Sequence, residues 1–284
     1  MSKTEFESNK TAVVTGATSG LGRAAAVALA EQGFRVLLVG RDEARGVEVR
    51  DAIVAAGGQA ELVLGDLMTV AGAEQVAAEL LRRAPTLDLL VNNAGGSFRH
   101  DARTADGLER TFALNVLAPY VLTESLMPAL VAAKGRVVNV VTGVPTSATT
   151  TLEQLVGNKA GPGMQSYIRS KLALLTLTIE QQRRYGARGV SFASLHPGII
   201  PGTRFGAEMP AVMQKMGPVI AKLLRIATPL DEAAARFVRV GTAAVEQGGF
   251  YYEGKLRQAP TQARDPVFAA SLCETLETLA GHAH

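Results

Sequence analysis

From residue 11 to about residue 200, short β-branched runs alternate with longer stretches whose apolar positions recur at helical spacing. This alternation predicts a parallel sheet with crossover helices, because parallel neighbours cannot be joined by a tight hairpin. Strands are predicted at 11–15 (TAVVT), 34–39, 61–64, 87–91, 136–141 (RVVNVV, apolar on both faces), 190–195 and 249–252. Helices are predicted at 23–32, 44–56, 73–83, 107–133 and 165–184. Gly33 and the pair Gly57-Gly58 close the first two helices, and Pro85 follows the third. Residues 143–163 crowd Thr, Gly and Pro together and predict a loop or short insertion. Residues 203–226, rich in Met, Leu, Ile and Pro, predict a helical flap. The expected fold class is α/β: one domain over 1–284, with a doubly wound parallel sheet of about seven strands and helices on both faces.

Composition agrees with a large buried sheet, since 47% of the 284 residues are hydrophobic and 19% are charged. The net charge of +3 is scattered without a Lys/Arg block, which argues against a nucleic-acid or anionic-membrane partner. Cys273 is the sole cysteine, so there is no internal disulfide and no thiolate cluster for a metal. The opening MSKTEFESNK carries acidic residues and lacks an apolar core, so it reads as neither a signal nor a transit sequence. No unbroken apolar run reaches the roughly 18 residues of a membrane span. A soluble, cytoplasmic protein is expected.

The first strand runs into Thr15-Gly16-Ala17-Thr18-Ser19-Gly20-Leu21-Gly22, which then opens a helix. At such a junction the free N–H groups and the helix dipole meet a pyrophosphate. Gly16 makes the tight turn, Gly20 lets backbone approach phosphate, and Gly22 lets the helix pack on the sheet. Three residues separate Gly16 from Gly20, unlike the commoner G-x-G-x-x-G spacing. TGATSGLG, with Asn92-Asn93-Ala94-Gly95 after the fourth strand, resembles the short-chain dehydrogenase/reductase family and its Rossmann fold.

A cation at the end of the second strand suits the 2′-phosphate of NADP, whereas an acid there suits NAD. The strand ends in LLVGRD, so Arg41 predicts NADP(H) over NAD(H), and the neighbouring Asp42 serves equally well as a helix N-cap. The resemblance further implies that Asp66 and Leu67 line the adenine pocket, and that Asn93, Ala94 and Gly95 support the adenosine ribose side. It places Pro197, Gly198, Ile200 and Thr203 near the nicotinamide.

Tyr167 and Lys171 stand four residues apart, hence on one helix face. An ammonium and an oxidised nicotinamide would both lower the phenol's pKa and let it trade a proton with a carbonyl oxygen. The family's serine at the end of the fifth strand is replaced here by Thr142, which keeps the hydroxyl but adds a stiffening methyl. Ser147 is the alternative. Asn115 resembles the family's fourth polar residue, whose carbonyl-bound water links the lysine to solvent. His196 reads as a strand-end residue rather than a catalyst.

The long Thr142–Tyr167 interval, the stretch DGLERTFALNVLAPYVLTESLMPAL and the C-terminal tail resemble the retinol-dehydrogenase-like branch, without implying retinoids. Met209, Met213 and Met216 in the predicted flap suit an apolar ketone, aldehyde or secondary alcohol, or simply pack as a helix face or interface. The family suggests a homodimer or homotetramer. Two rival activities remain: a non-redox proton transfer such as cyclisation or isomerisation, and non-catalytic NADP binding.

Overall fold

The computed structural model describes residues 10–98, 103–156, 163–200 and 227–281. The strands are β1 (Thr11–Thr15), β2 (Arg35–Gly40), β3 (Gln59–Leu64), β4 (Leu89–Asn92), β5 (Arg136–Val140), β6 (Ser191–His196), β7 (Gly249–Tyr252) and β8 (Lys255–Arg257). They form one sheet in the order β3-β2-β1-β4-β5-β6-β7-β8, parallel except for the last pair. Along β1, Val13 belongs to one apolar core while Ala12 and Val14 belong to another. Side chains of a strand alternate between faces, so each face of this sheet carries its own core.

The helices are α1 (Gly20–Glu31), α2 (Glu43–Ala55), α3 (Val70–Arg83), α4 (Arg110–Ala133), α5 (Leu152–Val156), α6 (Gly163–Tyr185), α7 (Leu230–Thr242) and α8 (Pro266–Leu279). Helix α4 is long and apolar enough to cross a membrane, yet 67% of its apolar window is buried within the fold. The alternating pattern did not predict α5, α7 or α8. Helix α7 buries Ala233, Ala234, Phe237 and Val240, and α8 buries Ala269, Leu272, Cys273 and Leu276. The predicted flap at 203–226 lies outside the described residues.

Two details depart from the sequence reading. An eighth strand exists because Glu253 (φ 50°) and Gly254 (φ 76°) both adopt left-handed backbone, making the two-residue reversal that suits an antiparallel pair. In addition, β5 is not purely apolar, since Asn139, its fourth residue, is fully buried.

Asn139 pairs in register with Asn92 on one side and Ser194 on the other, forming a polar row across β4, β5 and β6. Asn92 Nδ2 donates to Asn139 Oδ1 at 2.9 Å and to Thr123 Oγ1 at 3.3 Å. Asn139 Nδ2 and Ser194 Oγ both donate to Thr178 Oγ1 at 2.9 Å. Burial makes such bonds costly to break, so the row fixes one register of α6 against the sheet. Asn139→Ala is expected to cost about 2 kcal/mol or more, because it strands buried donors and acceptors. Urea unfolding measures this, and an unchanged midpoint would contradict it.

Candidate active site

The connections diverge at the carboxyl ends of β1 and β4, the place where open α/β sheets bind ligands. Gly16 (φ 66°) and Gly20 (φ 53°) both need left-handed backbone, and a methyl on Gly22 would collide with the Gly16 carbonyl. Gly40, at the end of β2, leaves room for the Thr18 methyl. Leu21 packs against the core beneath. Asp42 caps α2 and Thr69 caps α3 through their side chains, whereas Ser19 makes no side-chain cap at α1 and no acidic residue occupies its first turn. The first-turn N–H groups of α1 therefore have no side-chain acceptor and suit an anion.

Asn93 and Ala94 are bound to the phosphate turn through Thr15. Its Oγ1 accepts from Asn93 N at 3.0 Å and Ala94 N at 2.9 Å, and Asn93 Nδ2 donates to the Thr15 carbonyl at 2.8 Å. Thr15, which opens the TGATSGLG motif, is thus a site residue that the motif's glycines do not reveal. Arg41 extends from the end of β2 with its side chain 61% exposed, 3.7 Å from Asp66. Asp66 is also held by Met68 N at 3.1 Å, and Leu67 is buried. Asp42 takes the N-cap role, which leaves Arg41 the exposed cation at this corner.

The second half of the site gathers around Gly95, where an added Cβ would meet Asn115 Oδ1 at 2.9 Å and Lys171 Nζ at 3.2 Å. Asn115 lies in a π-helical turn of α4, Ala113–Leu117. Pro119 follows four residues later and has no N–H, so the Asn115 carbonyl lacks its α-helical partner. The Asn115 side chain accepts from Gly96 N and donates to the Gly96 carbonyl and Ser170 Oγ, each at 2.9 Å. Ser170 in turn donates to the Tyr167 carbonyl at 2.7 Å. Ser170, unremarked within the YIRSK run, therefore links Asn115 to the tyrosine's own turn of α6.

Lys171 is buried and donates to the Val140 carbonyl at 2.7 Å, with its Nζ 5.8 Å from the centre of the Tyr167 ring. Burial pulls its ammonium down from 10.5 to about 7. Tyr167 hydrogen-bonds with Thr142; Ser147 instead lies exposed in the turn beyond. The sequence reading had a neighbouring ammonium acidifying the phenol. In the protein alone burial raises the phenol above its usual value, and the opposing influence is Thr142.

Beyond β6, Gly198 (φ 111°) follows Pro197, whose carbonyl accepts from Arg236 Nη1 at 2.5 Å. Ile199 pairs with Ala227, which holds Ile200 on the same edge. Thr203 lies outside the described residues. The loop after β5 is clamped from the C-terminal segment, where Gln262 accepts from Thr150 N at 2.7 Å and donates to the Thr150 carbonyl at 2.6 Å. No group of three or more potential metal ligands occurs among the described residues.

The unfolded chain holds the Lys171 proton up to 10.5 and the folded chain only to about 7, so the unfolded state binds more protons between these limits. Stability from this group therefore rises with pH across that window. Lys171→Met should raise the melting temperature at pH 7 and remove that part of the slope. A lowered midpoint with the slope retained would contradict it.

Residues 10–213 match the short chain dehydrogenase family. The chain is 31% identical over 289 residues to retinol dehydrogenase 14 of Mus musculus, covering 96% of this chain and 86% of that protein. It is 39% identical over 200 residues to polyprenol dehydrogenase of Mus musculus, covering 67% of this chain and 60% of that protein. Among solved structures, the Pseudomonas aeruginosa RhlG/NADP active-site complex superposes with a TM-score of 0.70 at 26% identity, covering 89% of this chain and 98% of that one. With the glycine turn, the NNAG loop and the Tyr167/Lys171 pair assembled on one sheet edge, the chain belongs to the short-chain dehydrogenase/reductase family, in its retinol-dehydrogenase-like branch.

Proposed function

We propose that the protein is an NADP(H)-dependent oxidoreductase that interconverts an apolar ketone or aldehyde with the corresponding alcohol. The observation that carries this reading is the hydrogen bond between Thr142 and Tyr167, with Lys171 buried behind the phenol. When bound, NADP(H) supplies or accepts the hydride. The glycine turn and the first turn of α1, which has no side-chain cap, suit its pyrophosphate, and Arg41 suits its 2′-phosphate. Gly95, with Asn93 and Ala94, keeps the loop beside the ribose flat. Asp66 and Leu67 border the adenine, and Pro197, Gly198 and Ile200 border the nicotinamide side.

Thr142 Oγ1 donates a hydrogen bond to the substrate oxygen and holds it toward Tyr167. The phenol, protonated at neutral pH and held more firmly so by burial, gives its proton to the carbonyl oxygen as that oxygen gains negative charge. Lys171 balances the phenolate left behind and is recharged from solvent through water at the Asn115 carbonyl, which Pro119 leaves without an α-helical partner. A buried group titrating near 7 is suited to pass protons in both directions. Closely spaced donors in a dry site stabilise the developing charge more than they would in water.

An apolar substrate is favoured by the composition of 205–226, with Phe205, Met209, Met213 and Met216. It is also favoured by the names of two relatives, which specify retinol and polyprenol. On the same reading the chain forms one domain over 1–284 and acts in the cytoplasm, and the family resemblance implies a homodimer or homotetramer.

A panel of apolar ketones and alcohols, followed at the reduced-nicotinamide absorbance with each coenzyme, tests this reading. Turnover with NADPH is expected, and product formation without change in nicotinamide would favour a non-redox reaction. Arg41→Ala should weaken NADPH by about tenfold to a hundredfold, the value of charge-assisted hydrogen bonds to phosphate, and leave NADH nearly unchanged. Equal losses for both coenzymes would contradict the assignment of Arg41.

A further inference from the structure

We propose that His196 is the positioning residue for Thr142: seated between the end of β5 and Tyr252, it fixes the peptide plane from which the Thr142 hydroxyl reaches Tyr167. This rests on the reading above, in which Thr142 holds the substrate oxygen.

The strand register brings these residues together. Val140 pairs with Leu195 and His196 pairs with Tyr252, so the ends of β5, β6 and β7 form one row at the carboxyl edge of the sheet. Val141 N donates to the Leu195 carbonyl at 2.9 Å. One step beyond the Val140–Leu195 pair, the His196 imidazole stands beside the Val141 carbonyl, a contact that favours the protonated ring. That carbonyl belongs to the peptide bond carrying Thr142. The next carbonyl, of Thr142 itself, accepts from Val144 N at 2.8 Å. Both peptide planes flanking the Thr142 Cα are thereby tied, and the first is tied by a side chain.

The imidazole is itself held. His196 is buried, its ring centre stands 4.6 Å from that of Tyr252, and its carbonyl accepts from Glu253 N at 2.8 Å. Tyr252 packs so closely on Gly143 that a Cβ there would come within 2.9 Å of Tyr252 Cε2. Nδ1 has no hydrogen-bond partner among the described residues, so the single proton of a neutral ring is assigned to Nε2. Burial, and then the nearby Arg236 guanidinium, disfavour the cation and keep the ring neutral down to about 4. An aliphatic side chain would fill this space but would leave the Val141 carbonyl unheld.

Three variants test the assignment: His196→Leu, which removes the donor, His196→Gln, which keeps one, and His196→Leu combined with Thr142→Ala. His196→Leu should lower kcat by about tenfold to a hundredfold, the cost of a misplaced reacting group, with KM and the NADPH dissociation constant nearly unchanged. His196→Gln should recover most of that loss. In the Thr142→Ala background, His196→Leu should change kcat by less than about twofold, because coupled residues are not additive. Equal losses in both backgrounds, or no loss in the first, would overturn the proposal. A crystal structure of His196→Leu reads the same point without turnover: the Thr142–Tyr167 hydrogen bond should be broken, and its survival would overturn the proposal. If the unaltered enzyme turned over nothing, the oxidoreductase reading would fail while that structural comparison still decided the role of His196.

Discussion

The carboxamide of Asn115 and the ammonium of Lys171 press so closely on Gly95 that a methyl group there would lie 2.9 Å from one and 3.2 Å from the other. Three elements meet at that point: the loop after β4, the π-helical turn of α4, and the face of α6 that carries Tyr167. Their approach is possible because Gly95 has no side chain, and it is maintained because Asn115 satisfies both the N–H and the carbonyl of Gly96. A cofactor loop and a catalytic helix are thereby held together by ordinary hydrogen bonds, before any ligand contributes.

The same proximity sets the electrostatics. Taking Lys171 out of water costs stability at neutral pH, and the Val140 carbonyl offsets only part of it. The polar row Asn92–Asn139–Ser194 works in the opposite direction: one bond joins β4 to β5, and the bonds of Asn139 and Ser194 to Thr178 tie α6 to the sheet in a single register. The fold tolerates a destabilising group at the site because a buried hydrogen-bonded row lies beneath it, although Asn92 Oδ1 has no partner among the described residues.

Much of this was legible in the sequence, and for identifiable reasons. Buried strands are short runs of β-branched or aromatic residues, so β1 (TAVVT) and β7 (GFYY) match their predicted bounds. The glycine turn and the Tyr167/Lys171 spacing are local features, and their geometry follows from helix and turn rules alone. Residues whose roles depend on distant partners were less visible. Asn139 reads as an interruption of an apolar run until its register with Asn92 and Ser194 is known. Ser170 matters because Asn115 arrives from far along the chain, and Thr15 because Asn93 and Ala94 do. The sign of the Tyr167 shift was also illegible, since desolvation depends on packing that no spacing reveals. Helix α7 is the crossover between the parallel strands β6 and β7, and α8 follows the last strand, beyond the reach of the parallel-sheet pattern.

The central claim is that the Tyr167 phenol gives a proton to a carbonyl oxygen while carbon receives hydride from a reduced nicotinamide. The most direct measurement is mass spectrometry of the alcohol formed from an apolar ketone with C4-deuterated NADPH, for the unaltered enzyme and for Tyr167→Phe. One deuterium on the carbinol carbon is expected, with the rate for Tyr167→Phe lower by about a hundredfold or more, as for loss of a general acid. Alcohol free of deuterium, or an undiminished rate without the phenol, would contradict the account.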